Sequence, residues 1–223
     1  MYQQLWAESV KAIPNLLITL LILFLGWGAG NRITARWDEH KKRRELDLQA
    51  LGAFYSVYGQ FTTVWKLWGG VCTEAAKDDG IRREVLEPAV RAEGELESLL
   101  VRISSERALS DLECTVLACF RQAFQSLRES ITARDPLRSH VRDADTGQLV
   151  KIYWASSDSA PYLAFKALAG RVAGLLSESS LAGRPSNPHR ALLKITDNRW
   201  EHTWVQETFK ALDMRHLSPP TMS

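Results

Sequence analysis

The sequence predicts a mainly α protein: one N-terminal transmembrane helix followed by a cytosolic helical bundle, with a short hairpin near 138–154. Three observations carry this expectation. Residues 12–31 contain no charged side chain, and basic residues crowd directly behind them. Most of the remaining chain repeats apolar residues at alternating spacings of three and four, the period of a helix with one buried face. The expected division is a short outer tail (1–11), the span (12–31), a basic juxtamembrane helix (32–50), a helical soluble domain (51–215) and a flexible tail (216–223).

The span comes first. At about 1.5 Å per residue, its 20 residues reach about 30 Å, the thickness of a hydrocarbon core. Leu16 to Leu25 is apolar except for Thr19, and Pro14 sits near the start, where a missing N–H costs little. Trp6 precedes the span and Trp27 and Trp37 fall near its other end, where interfacial indoles are expected. Gly28-Ala29-Gly30 would also fit the cleavage site of a secretory signal. The flanking charge argues against cleavage. Glu8 and Lys11 lie ahead of the span, while Arg32, Arg36, Lys41, Lys42, Arg43 and Arg44 follow it, against only Asp38 and Glu39. Basic residues resist translocation, so the N-terminus should face outward and the domain should stay in the cytoplasm, single-pass at the cell (inner) membrane. The same basic cluster could also draw anionic headgroups, at roughly 1 kcal/mol per residue.

Gly26, Gly30 and Thr34 recur every four residues. Small side chains at that interval let two helix backbones approach closely in lipid, so a homo-oligomer contact is expected there.

The formal net charge is +2, but residues 45–223 hold 21 Lys or Arg against 23 Asp or Glu, a balance of −2. The positive excess therefore sits beside the membrane. No nucleic-acid binding is expected of the domain, since that would need a basic face of its own. Cys72, Cys114 and Cys119 form no CxxC and are odd in number, which reads as small core residues in a reducing compartment.

Five helical segments are expected beyond the span. The first, about Asp38 to Ala76, continues the transmembrane helix. Leu51, Phe54, Tyr58, Phe61, Trp65 and Trp68 form an aromatic seam on it, extended by Cys72 and Ala75, and Gly69-Gly70 is a place for it to bend or stop. Rings this large suit a core face of the bundle better than a two-stranded coiled coil between subunits; an aromatic ligand groove is a further reading. The second segment, about Ile81 to Glu106, is divided by Pro88 and presents Ala89, Ala92, Leu96, Leu99, Leu100 and Ile103. The third, about Asp111 to Ala133 with Ser110 as N-cap, carries two neighbouring stripes. One is Leu109, Leu112, Val116, Cys119 and Ala123; the other is Leu117, Phe120, Phe124, Leu127 and Ile131. So wide an apolar face places this helix deepest.

Asp143 to Gly147 reads as a turn, and Leu149 to Trp154 as a short strand. A calcium loop fails here, because its last position, which needs Glu, is Trp154. The fourth helix, about Ala160 to Glu178, spaces Phe165, Leu168, Val172 and Leu175 by three and four. After a loop at 179–188, the fifth runs from about His189 to Met214 with Leu193, Trp200, Trp204, Val205, Phe209 and Leu212.

No catalytic, metal or cofactor motif stands out, and neither an enzyme nor a cofactor is expected. The histidines, at 40, 140, 189, 202 and 216, include no i, i+4 pair and no HExxH. There is no nucleophile elbow, P-loop or dinucleotide fingerprint. His202 lies between Trp200 and Trp204 but off their core face, which makes it a rim residue. The functional expectation is a membrane-tethered, non-enzymatic interaction module whose partners are the lipid bilayer and a protein, or a second copy. The alternative is an oligomerising effector or toxin component, for example in bacterial defence, that perturbs the bilayer when triggered.

Overall fold

A computed structural model describes residues 2–75, 78–143, 146–154, 159–178 and 187–214, at 2–22, 25, 28, 29 and 73–75 by their backbone alone. The chain divides into two units, Met1–Leu46 and Asp47–Ser223. Helix α1 (Tyr2–Ala75) belongs to both, and Gly69-Gly70 does not end it. Among the described residues no helix is long and apolar enough to cross a membrane. Most side chains of the expected span, 12–31, lie outside the described residues. In the first unit the described side chains from Leu23 to Glu45 are all exposed.

The second unit is mainly helical. Helix α2 (Asp79–Glu106) opens on Asp78, whose carboxylate accepts from the Gly80 N–H at 2.7 Å. The expected division at Pro88 does not occur: α2 runs through it. Proline supplies no N–H to the carbonyl four residues back, but Glu84 and Pro88 both face solvent, so water can serve that carbonyl. Helix α3 (Asp111–Thr132) starts at a reciprocal capping box. The Ser110 hydroxyl accepts from the Glu113 N–H, and the Glu113 carboxylate accepts from the Ser110 N–H at 2.7 Å. Its packed face begins at Cys114 and continues through Val116, Leu117, Phe120, Phe124, Leu127 and Ile131. Leu112 is a correction, 45% exposed in a first turn ahead of that face.

Strands β1 (Arg138–Arg142) and β2 (Leu149–Tyr153) form the hairpin, antiparallel, with Arg138 opposite Tyr153 and Arg142 opposite Leu149. Gly147 takes φ +69° at the turn, a left-handed conformation that glycine adopts freely. Asp143 Oδ1 holds the turn by accepting from the N–H and hydroxyl of Thr146.

Helix α4 (Ala160–Ser177) buries Phe165, Leu168, Val172 and Leu175. The loop at 179–186 and the tail from 215 lie outside the described residues. The expected single fifth helix is a second correction. It is split into α5 (Pro188–Thr196), a 3-10 turn (Asn198–Trp200) and α6 (Trp204–Ala211). Asp197 is extended at φ −65° and ψ 127°, and its carboxylate caps the Arg199 N–H at 3.1 Å. That local bond competes with helix continuation. The two halves are therefore out of phase: Leu193 is exposed, whereas Trp204, Val205 and Phe209 are buried.

Candidate functional site

The residues singled out by sequence separate into three groups. Gly26 and Gly30 are exposed, and a Cβ built on either meets nothing. Thr34 turns its hydroxyl back onto the Gly30 carbonyl at 2.9 Å. Arg32, Arg36, Lys41, Lys42, Arg43 and Arg44 are all exposed, and Arg43 pairs with Glu39 at 2.7 Å.

The aromatic seam lies in the second unit against rings of the same chain. Phe54, Phe61 and Trp68 are buried, and Tyr58 and Trp65 are half-buried. Phe61 meets Phe165 at 4.2 Å and Phe124 at 4.7 Å, and Phe54 meets Phe120 at 5.6 Å. Trp65 lies between Tyr162 at 5.1 Å and Trp154 at 5.8 Å. These offset and edge contacts are the geometry that ring quadrupoles favour. Trp68 donates its indole N–H to the Asp135 carbonyl at 2.7 Å, and Trp154 donates to the Ser139 hydroxyl at 2.8 Å. The seam is thus occupied by the domain's own side chains.

Arg107, just past the end of α2, is a buried cation that the helical spacings do not reveal. Its guanidinium donates to the carbonyls of Leu175, Leu176 and Glu178 at the end of α4, and to the carboxylate of Asp47 on α1. It therefore satisfies carbonyls that a helix C-terminus leaves open, and it ties three helices together.

At the junction of β1, α3 and the start of α6, two histidines 62 residues apart in sequence meet. The rings of His140 and His202 stand edge to face at 5.4 Å. Burial, reinforced by His202, Arg138 and Lys151, lowers the His140 pKa. Burial raises the Glu129 pKa, with Arg128 opposing and Glu201 and Glu93 adding to the rise. Among the described residues no three His, Cys, Asp or Glu side chains converge in a way that could hold a metal ion. The buried Cys119 thiol is pushed up to about 12, chiefly by burial, and so stays protonated and unreactive.

Among the described residues the two edges of the hairpin differ: one is partly covered and the other is open. Trp154 N–H donates to the Leu137 carbonyl at 3.0 Å, and Asp143 N–H to the Gln148 carbonyl at 2.8 Å. Antiparallel ladders alternate, so the main-chain groups of Arg138, His140 and Arg142 point out on one side, and those of Leu149, Lys151 and Tyr153 on the other. On the β1 side, the Gln206 amide of α6 accepts from the Arg142 N–H at 2.9 Å and donates to the Arg142 carbonyl. Ser130 accepts from the Arg138 N–H at 3.3 Å. On the β2 side nothing among the described residues takes that place. Leu149, Val150, Lys151 and Tyr153 are exposed there.

No protein-family model, curated protein or solved structure matches the chain.

Proposed function

We propose that this chain is a membrane-tethered, non-enzymatic interaction module. Residues 12–31 would cross the bilayer once, and the helical unit behind them would face the cytoplasm and bind a protein partner or a second copy. The charge-free run and the basic residues behind it support the tether. The observation that carries the interaction role is the hairpin. The rings of the aromatic seam pack within the unit, yet among the described residues the β2 edge, with Leu149 and Tyr153, stands open. The buried cation Arg107 is likewise committed to structural bonds.

A reporter fused after Ser223 tests the tether. It should be active only on the cytoplasmic side, and activity on the outer side would overturn the topology. Photo-crosslinkers placed at Leu149 or Tyr153 in native membranes test the interaction. A discrete adduct with one protein is expected, and none at any surface position would overturn the module reading. Depolarisation of the membrane on overexpression would favour a bilayer-perturbing effector instead.

A further inference from the structure

We propose that the open edge of β2 takes up an extended segment of a partner protein as a third strand, with an acidic residue opposite Lys151 and apolar residues opposite Leu149 and Tyr153. This rests on the interaction-module reading and gives the partner its chemistry.

Strand addition requires unpaired main-chain groups in a row. Among the described residues Leu149, Lys151 and Tyr153 provide them at every second residue, on an edge with no proline and no bulge. On the opposite edge Gln206 and Ser130 already take main-chain groups of Arg142 and Arg138, so among the described residues the free row lies on β2.

The side chains then select the occupant. Residues opposite one another across an antiparallel pair share a face, which places Leu149, Lys151 and Tyr153 with Arg142, His140 and Arg138. Leu149 is 42% exposed and Tyr153 46%, and Lys151 between them makes no ion pair among the described residues. Leu149 and Tyr153 give the strand apolar ends, Lys151 places a cation between them, and Arg138 on the neighbouring strand is already paired with Asp135. A second copy pairing through β2 and centred on Lys151 would set the two lysines directly opposite each other, which is repulsive. An acidic side chain at that place is attracted instead. The pattern is apolar, any residue, acidic, any residue, apolar. It reads alike in both directions, so it does not depend on whether the added strand is parallel or antiparallel.

The test uses the full chain in nanodiscs of zwitterionic lipid. The probe is a fluorescent nine-residue peptide alternating threonine with leucine, glutamate and leucine at its third, fifth and seventh positions. Saturable binding by anisotropy is expected. Lysine in place of the glutamate should weaken binding by about five-fold, and Lys151→Glu should reverse the preference of the two peptides. A peptide N-methylated on the edge-facing amides should not bind, because it cannot form the ladder. Circular dichroism of Lys151→Glu, an exposed site, checks that the fold is kept. Four results would overturn the proposal: no peptide binding, an unreversed preference in a folded Lys151→Glu variant, indifference to N-methylation, or a doubled mass in sedimentation that Lys151→Pro abolishes. If the peptides fail while a crosslinked partner is still found elsewhere on the unit, the edge assignment falls and the module reading stands.

Discussion

Replacing Arg107 by Met keeps much of the buried stem and removes the guanidinium. Two buried carbonyls, at Leu175 and Leu176, lose a charged donor, and Asp47, whose side chain is only 16% exposed, loses its counter-charge. Removing one partner of a buried pair costs about 3–5 kcal/mol, because the remaining charge stays desolvated. For a unit of roughly 180 residues that is a fall in Tm of about 6–20 °C. Thermal and urea unfolding of the full chain in mild detergent, followed by tryptophan fluorescence, measures it. In the double variant Asp47→Ala/Arg107→Met, part of the loss should return, since the orphaned carboxylate is gone. A cost under about 1 kcal/mol for Arg107→Met would refute the reasoning, since a clasp that closes on four oxygens cannot be removed so cheaply.

Three other outcomes follow from the same structure. Phe124→Ala empties a site that is 3% exposed and ringed by Phe61, Phe120 and Phe165, so unfolding should become easier by about 3–5 kcal/mol; an unchanged midpoint would show that this face is not core. His140 has a folded pKa below its ordinary 6.5, so the unfolded chain takes up the proton more readily, and stability should be intact above 6.5 and fall as pH drops through the folded value. His140→Phe should flatten that loss. Glu129, raised from 4.5, has the opposite sign and gains stability as pH falls through its own raised value, so the histidine effect is best read in melts just below neutrality. Gly26→Leu/Gly30→Leu places side chains where the chain offers open space, so any loss of association in a genetic span-association assay would arise between molecules; insertion should be kept, and undiminished association would exclude this face.

Much of the bundle could be read from spacing alone. Leu112 apart, the apolar positions expected on α2, α3 and α4 lie on the faces that are buried, and Ser110 caps α3 because a serine three residues ahead of Glu113 can bond reciprocally. Of the hairpin, the turn at Asp143 to Gly147 and the strand from Leu149 were legible in the sequence, whereas the first strand, Arg138–Arg142, was not. Spacing failed where a local bond outcompeted the helix, at Asp197, and where an exposed proline broke less than its type implies, at Pro88. It also failed wherever the partner is distant in sequence. Nothing near Arg107 announces that it will bond to Asp47, 60 residues earlier, and to the end of α4, 68 to 71 residues later. The meeting of His140 with His202 and the covering of Arg142 by Gln206 are likewise products of tertiary packing.

The Gln206 amide has a consequence for how far any strand addition can travel. A hairpin with two free edges can accept a neighbour on each side and grow head to tail without limit. Here the bidentate side chain on Arg142 acts as a stopper. Among the described residues the free row of main-chain groups lies on β2, so a visiting strand joins there, and the Arg142 end of the other side is already taken. Each hairpin therefore offers one edge to a visiting strand. Gln206→Ala would free the Arg142 main chain while Ser130 still held the Arg138 N–H, so the second side would open at one end alone.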